Sequence, residues 1–215
     1  PKQEKFGLYL ELAKTLRPIL EGIDGFIDNE RFESADRPGW LLSHSTWRDE
    51  KSVVRWRTVG KHHETQQRGR DEVFQDYHLR VGEVVRDTAP PAGTAIVEKR
   101  LDETEVGCAK FVTLTEVQAA PSTTATALTQ WLSVDRDPTD LIDYDVFTSI
   151  SNPGKFALLA SWRNRASAER FSPPTSAALR NRIVRIVRDY GMFDRRESPQ
   201  YYPEILSARG SRKGS

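Results

Sequence analysis

The chain has 215 residues, of which 37% are apolar and 29% charged, and its formal net charge is +1. The length fits one large domain or two domains of about 100 residues. This balance gives enough apolar material for a core, and the small net charge argues against nucleic acid or an anionic membrane as a partner. We find no signal peptide and no apolar stretch near 20 residues, so no membrane span is expected.

The single cysteine, Cys108, excludes an intrachain disulfide. A chain without disulfides favours a reducing compartment, and we expect a cytoplasmic protein. Cys108 adjoins an apolar run and is expected to be a small buried residue rather than a nucleophile.

The first 87 residues predict the order helix, strand, turn, strand, helix, strand. The expected elements are a helix at 6–23, strands at 26–34 and 40–47, a helix after Asp49, further helix at 62–75 and a strand at 77–86. Pro18 should bend or restart the first helix, and Pro38 with Gly39 predicts the turn between the first two strands. Asp49 is expected to cap the helix that carries Trp56.

Features of the first half recur later in the chain. Pro38-Gly39 matches Pro153-Gly154 at an offset of 115 residues (153 − 38), and Trp47 matches Trp162 at the same offset. Near the end of each half, residues 85–87 match 187–189 at an offset of 102. The second copy is therefore shorter, and the segment it lacks is the helix that carries the first-half histidine pair. An ordered series at a fixed offset predicts an internal repeat.

The predicted organisation is a first unit at 1–87, a linker at 88–106, a second unit at 107–205 and a disordered tail at 206–215. A strand at 108–118 and a short helix at 127–132 open the second unit. The first unit has no such opening strand, because residue 1 already leads into a helix. Either the chain was shortened at its start or that position in the sheet is filled in another way, and the sequence leaves both open.

Several stretches occur in an order that is typical of one protein family. In the first unit they are Ile23–Phe26, Glu30–Ser34, Arg37–Gly39, Leu41–Glu50, Trp56-Arg57 and Tyr77–Asp87. In the second unit, Arg188–Asp194 closes the last strand as in fused members of that family. On these stretches the chain resembles the antibiotic biosynthesis monooxygenase family of the dimeric α+β barrel superfamily, over about residues 6–87 and mainly 144–194.

The resemblance implies an α+β fold of ferredoxin-like units. Helices cover one face of each antiparallel sheet, and the other face pairs with a second sheet to form a barrel. Members usually form the barrel as homodimers; here the two units of one chain could close it internally, and a further homodimer is left open. The implied function is an oxygenase that uses O2 on an electron-rich aromatic or polyketide-type small molecule, without metal or flavin.

The two halves differ in the residues that could carry this chemistry. All four histidines lie in the first half, where Asn29 and His44 have Tyr144 and Leu159 as counterparts. This asymmetry predicts one site, in the first unit, with the second unit as a scaffold. The predicted catalytic residues are His44, His62 and Asn29, and the predicted substrate-binding residues are Trp47, Trp56, His63, Gln66 and Tyr77.

Each assignment has a chemical reason and a structural alternative. Imidazole titrates near neutrality, so His44 or His62 could remove a substrate proton, and Asn29 could hydrogen-bond the resulting oxyanion. Trp47 and Trp56 could stack on an aromatic ligand. The alternatives are a buried His44 satisfied by the backbone or solvent, tryptophans that belong to the core, and a solvated helix start around His62.

Two other functions stay open at this point. One is a haem-binding barrel enzyme with His62 or His63 as the axial ligand. Haem-degrading relatives carry a histidine about ten residues after a helical Trp, but Gln66 stands ten residues after Trp56 here. The other is a non-catalytic small-molecule-binding barrel. A flavin is not expected, because no phosphate-cradling glycine motif is present, and no Cys/His cluster has the spacing of a structural zinc site.

Overall fold

The computed structural model describes residues 1–134, 140–176 and 178–199. In these residues it shows an α+β fold with five α-helices and seven strands. The helices are α1 Phe6–Glu21, α2 Glu50–Arg57, α3 Gly60–Arg68, α4 Ala125–Trp131 and α5 Arg165–Arg170. The strands are β1 Phe26–Ser34, β2 Leu41–Trp47, β3 His78–Asp87, β4 Phe111–Gln118, β5 Leu141–Ser149, β6 Lys155–Trp162 and β7 Leu179–Gly191.

The seven strands form one curled antiparallel sheet in the order β2-β1-β5-β6-β4-β7-β3. The strands β4 to β7 alone have the ferredoxin-like order β5-β6-β4-β7. The first-half strands join this group at its two ends, β1 on β5 and β3 on β7. The predicted α+β class with ferredoxin-like antiparallel sheets is confirmed. The proposed unit boundaries stay predictions, since the strands of both halves share one sheet.

One strand position is left between β2 and β3. In the second half β4 lies between β6 and β7, and β2 and β3 are the first-half strands that correspond to those two. Among the described residues no strand pairs with the outer edge of β2 or of β3. In the described residues the outer edges of β2 and β3 are therefore unpaired, and the expectation that the first half lacks an opening strand stays a prediction.

Local geometry repeats between the halves at the offset of 115 residues. Asp49 caps α2 by accepting a hydrogen bond from Ser52 N at 2.8 Å, as predicted. Asn164 caps α5 through Ser167 N at 2.9 Å. Gly39 and Gly154, in the turns before β2 and β6, both have φ of +81°, a conformation that disfavours any side chain. These turns set the register of each hairpin.

The sheet has two faces with different partners, because side chains alternate along a strand. On the side that carries α4 and α5, a packed apolar core contains Phe111, Leu128, Trp162, Phe171 and Ile183. On the inner face of the curl, a second apolar cluster joins Phe32 of β1 to Phe147 of β5 and Leu114 of β4. The two halves therefore share their inner face.

Three local predictions were wrong in detail. α1 continues through Pro18 to Glu21, so the helix is not restarted there, and Gly22 N donates to Pro18 O at 3.2 Å. The expected helix at 62–75 begins at Gly60 and ends in a π turn at Gly69–Val73. Cys108 is exposed rather than buried, because β4 begins only at Phe111.

Candidate functional site

The helix-facing side of β1 and β2 borders a large cavity beneath α1, α2 and α3. The strand register places on this side Asn29, Arg31, Ser43, Ser45 and Trp47. These residues line an open cavity of about 2060 Å³ together with side chains of the three helices and of β3. The cavity continues past the unpaired edges of β2 and β3 to the inner face of the sheet. The unfilled strand position between β2 and β3 is therefore an opening that connects the two faces.

A row of aromatic rings closes one end of this cavity. Phe26 meets Trp47 edge to face with ring centroids 5.4 Å apart, and Trp47 stacks on Trp56 at 6.5 Å. Trp56 in turn stacks on His62, with centroids 4.0 Å apart and an interplanar angle of 23°. Strand β2 and helices α2 and α3 each contribute one member, so the row depends on the tertiary fold.

The hydrogen bond of His62 defines its tautomer. Nδ1 lies 3.2 Å from the carbonyl oxygen of Trp56, and since a carbonyl only accepts, Nδ1 carries the proton. Nε2 therefore keeps the lone pair. Burial beneath the helices lowers the pKa of His62 to about 4, and the neighbouring His63 lowers it further while the Trp56 carbonyl opposes the shift. At neutral pH His62 is a neutral proton acceptor.

The structure brings most of the other predicted residues to the same cavity. Asn29 donates one amide N–H to the carbonyl of His44 at 2.9 Å, which leaves its second N–H for a ligand. His63 and Gln66 are half-buried on α3 and line the cavity. Tyr77 lines it too, and its hydroxyl accepts a hydrogen bond from Arg195 at 2.6 Å.

His44 is placed apart from this group. It pairs with Glu30 across β1 and β2, and both side chains lie on the inner face of the curl, so it points away from the helices. Burial lowers its pKa to about 4, and the nearby Arg182 cation adds to the shift. His44 lines the part of the cavity that reaches the inner face, whereas Asn29 and Trp47 line the helix-facing part. Adjacent residues along a strand point to opposite faces, which separates His44 from those two residues.

The inner face around His44 carries a network of charges from both halves. Lys155 bonds to Glu30 and, at 2.9 Å, to Glu116. Arg182, whose side chain is almost fully buried, pairs with Glu116 and donates to Thr46 Oγ1 at 3.2 Å. Buried charges with these partners are costly to separate. The network joins the halves and surrounds His44 with structural partners.

The same side of the second half contains no comparable cavity wall. The residues 115 positions after Asn29, Arg31, Ser43 and Ser45 are Tyr144, Val146, Leu158 and Ala160. All four belong to or pack against the apolar core beneath α4 and α5. The equivalent of the first-half cavity is therefore filled by side chains.

Sequence reasoning missed Arg31, Ser43 and Ser45 as wall residues, and with them Tyr9 of α1. The offset of 115 residues also carries this signal. The alternating residues Asn29, Arg31, Ser43 and Ser45 are polar, whereas their counterparts Tyr144, Val146, Leu158 and Ala160 belong to or pack against the apolar core, which distinguishes an open face from a filled one. Arg31 Nε donates to the Tyr9 hydroxyl at 3.3 Å, so helix and strand position each other.

The described residues contain no cluster of three or more His, Cys, Asp or Glu that could hold a metal ion. Within the same part of the chain, no helix has the length and apolarity that a membrane crossing needs. Curled antiparallel strands, helices on the outer side and a cavity that ends in stacked rings together define an α+β barrel protein with a site for a small organic molecule.

Comparisons with known proteins agree with this class. The family model for antibiotic biosynthesis monooxygenase matches residues 1–68. A protein of Pyricularia oryzae named jasmonate monooxygenase ABM is 42% identical over 208 residues, and the match covers 94% of each chain. A solved structure described as an anthrone oxidase-like protein aligns with 89% of this chain and 91% of its own, at 12% identity and a TM-score of 0.33.

The chain belongs to the antibiotic biosynthesis monooxygenase family. The predicted resemblance is confirmed, and the activity is that of a monooxygenase of this type, with a small-molecule substrate.

Proposed function

We propose that this monooxygenase oxidises a small, largely apolar molecule in the first-half cavity without a metal or flavin. The observation that carries this proposal is the row of Trp47, Trp56 and His62, which ends in a neutral imidazole with a free Nε2. The rings offer a flat apolar wall, and the imidazole offers a proton acceptor next to it.

The electron balance limits the substrate. Conversion of a CH2 group to a ketone by O2 yields the ketone and one water. The carbon loses four electrons and the two oxygen atoms of O2 accept four, so no external reductant is needed. The carbon must first become electron-rich through loss of a proton, as in a phenol or an enol. His62 Nε2 accepts that proton, and the second N–H of Asn29 stabilises the anion.

The low pKa of His62 gives the proton transfer a calculable cost. A phenolic proton with a pKa near 10 moves to an imidazole with a pKa of about 4 at a cost of about 8 kcal/mol. Turnover at about 10 per second allows a total barrier of about 16 kcal/mol. The transfer therefore fits within the barrier, and ion pairing between the new imidazolium and the substrate anion lowers its cost.

An electron-rich aromatic of the polyketide type fits these requirements with His62 as the base. The name of the relative from Pyricularia oryzae suggests a second class for this chain, a cyclic ketone acid of the jasmonate type. The α-C–H of a simple ketone is a far weaker acid than a phenol, so this second class requires that the site stabilise the enolate more strongly.

The test starts with the visible spectrum of the purified protein. A colourless protein that consumes O2 with a hydroxyanthrone or with jasmonic acid, and transfers one ¹⁸O atom from ¹⁸O2 to the product, supports the proposal. A Soret band that His62→Ala abolishes supports the haem alternative, in which Nε2 would hold the iron. Ligand binding without O2 consumption supports the non-catalytic barrel.

Substitution of the base separates catalysis from binding. We expect His62→Gln to lower kcat by about 10²- to 10⁴-fold, because general base catalysis contributes that much. His78→Gln is the matched control. The ring of His78 bonds to Asp189 of β7, and about half of its side chain is exposed. Equal turnover of both variants and the wild type would contradict the role of His62.

A further inference from the structure

Arg31 is a cation in the wall of the first-half cavity whose charge has no acidic partner in the described part of the chain. It lies on β1, is half-buried, and lines the cavity. Its one hydrogen bond there is from Nε to the Tyr9 hydroxyl at 3.3 Å. Glu33, on the same face two residues later, is exposed and forms no ion pair with it. Both terminal NH2 groups of Arg31 are therefore available to a ligand.

We propose that Arg31 binds a carboxylate of the substrate, so that the enzyme acts on organic acids rather than on their neutral analogues. This inference rests on the proposed function, because it places the substrate in the same cavity. A guanidinium presents paired N–H groups that match the two oxygens of a carboxylate. A half-buried cation without an anion is costly, and an acidic ligand removes that cost.

The position of Arg31 on β1 determines how far a bound carboxylate lies from the aromatic row of Trp47, Trp56 and His62. It lies opposite Ser43 on β2, and Trp47 follows four residues along the same strand. At about 3.3 Å per residue, the backbone of Ser43, which lies opposite Arg31, is about 13 Å along β2 from that of Trp47. A substrate held by its acid group at Arg31 can therefore present a remote carbon to His62. Arg31 acts as a binding and specificity residue, separate from the chemistry.

Tyr9 positions the guanidinium. Its ring packs edge to face on Phe74 at 5.7 Å, and Phe74 packs on Tyr77 at 5.9 Å. The hydroxyl that accepts from Arg31 Nε is therefore held by a second aromatic row beneath α1. This contact fixes one edge of the guanidinium and leaves its other edge toward the cavity.

Some other cations of the cavity wall have acidic partners, whereas Arg70 bonds to Gln67, and the exposed Arg195 bonds to Tyr77 and Ser198. Arg37 pairs with Asp143, Arg48 with Asp24, and Arg80 with Asp189. Arg57 on α2 lies near Tyr190 and Arg188, and burial lowers its pKa. Glu50 also acts on Arg57 electrostatically. Arg57 and Arg70 are the rival anchors, and a variant of each is included in the test.

The test compares acids with their methyl esters. Binding is followed by quenching of tryptophan fluorescence, since Trp47 and Trp56 line the cavity, with two probe pairs: jasmonic acid and methyl jasmonate, and anthracene-9-carboxylic acid and its methyl ester. For at least one pair we expect the acid to bind the wild type about 10- to 100-fold more tightly than the ester. Arg31→Met should reduce that acid to the affinity of its ester and leave the ester unchanged.

Matched variants keep the result interpretable. Arg31→Lys should keep part of the acid preference, and Tyr9→Phe should reduce it several-fold. Arg57→Met and Arg70→Met should each leave the acid-to-ester ratio unchanged. Circular dichroism checks that each variant folds. The proposal is overturned if neither acid is preferred by the wild type, if Arg31→Met keeps the ratio, or if Arg57→Met or Arg70→Met alone removes it.

The same measurements separate this inference from the proposed function. An acid preference that depends on Arg31, without O2 consumption by the same probes, supports the anchor and contradicts the oxygenation. Equal O2 consumption with an acid and its ester supports the oxygenation and contradicts the anchor.

Discussion

The two helix-facing sides of this sheet have the same backbone and different contents. Beneath α1, α2 and α3 the strands present Asn29, Arg31, Ser43 and Ser45 to an open cavity. Beneath α4 and α5 the corresponding positions hold apolar side chains in a packed core. The same strand geometry thus supports either a ligand site or a stable core, and the choice depends on alternate residues of two strands.

The largest expected effect on stability comes from exchanging the residue types of one matched pair, Arg31 in the first half and Val146 in the second. Val146→Arg places a charge in the second-half core, where no acidic partner belongs to the apolar cluster, and should cost at least 4 kcal/mol of unfolding free energy or prevent folding. Arg31→Val should change the free energy of unfolding by less than about 1 kcal/mol. Urea unfolding measures both, and similar costs would show that the two sides do not differ as described.

Replacing the matched aromatic residues Trp56 and Phe171 should affect ligand binding in the first half and stability in the second. Phe171 is buried in the second-half core, so Phe171→Ala should cost about 3–5 kcal/mol of unfolding free energy. Trp56 is half-buried at the cavity, so Trp56→Ala should cost less stability but weaken ligand affinity by about tenfold or more. Unfolding curves and fluorescence titration test this, and a greater stability loss at Trp56 would reverse the interpretation.

The two turn glycines test how closely each half is packed. Both have φ of +81°, so an alanine at either position costs about 1 kcal/mol of backbone strain. A Cβ at Gly154 would lie 2.5 Å from the carbonyl oxygen of Ala119, whereas a Cβ at Gly39 meets nothing within 4 Å. Gly154→Ala should therefore cost about 1–2 kcal/mol more than Gly39→Ala in thermal or urea unfolding. Equal costs would contradict the difference in packing.

The smallest expected effect is on the free energy of unfolding at acidic pH. It concerns the first half, which contains all four histidines. His44 and His62 have pKa values of about 4 in the folded chain, below the usual 6.5 of an unfolded histidine. The unfolded chain binds more protons between these values, so stability falls as pH falls through this range. From pH 7 to 5.5 each residue should cost about 1 kcal/mol. Urea unfolding of His62→Gln should show about 1 kcal/mol less acid loss, and an unchanged slope would contradict the assignment.

Much of the fold could be predicted because it depends on local patterns. The bounds of β1 follow from its hairpin with β2, and the Asp49 cap follows from its neighbours in sequence. The partners of β1 and β3 could not be predicted in this way. Pairing of β1 with β5 and of β3 with β7 depends on curvature of the whole sheet.

The candidate site was predictable to the extent that its residues differ between the halves. Trp47, Trp56, His62 and Asn29 line the helix-facing part of the cavity, whereas His44 lines the part on the inner face. Residue type at a single position carries no information about the face of the strand on which the side chain lies. Arg31 was missed for a related reason: a single charged residue in a strand is common, and its meaning depends on Tyr9, which lies on another element.

The charges on the inner face have a practical consequence for anyone who wishes to work with a smaller protein. Glu30 belongs to the first half, and its cationic partner Lys155 belongs to the second. Phe32 likewise packs against Phe147 from the other half. A gene fragment that encodes residues 1–87 alone would yield a polypeptide with bare carboxylates beside uncovered phenyl rings. The half that carries the proposed site therefore has to be engineered, expressed and stored together with the other half.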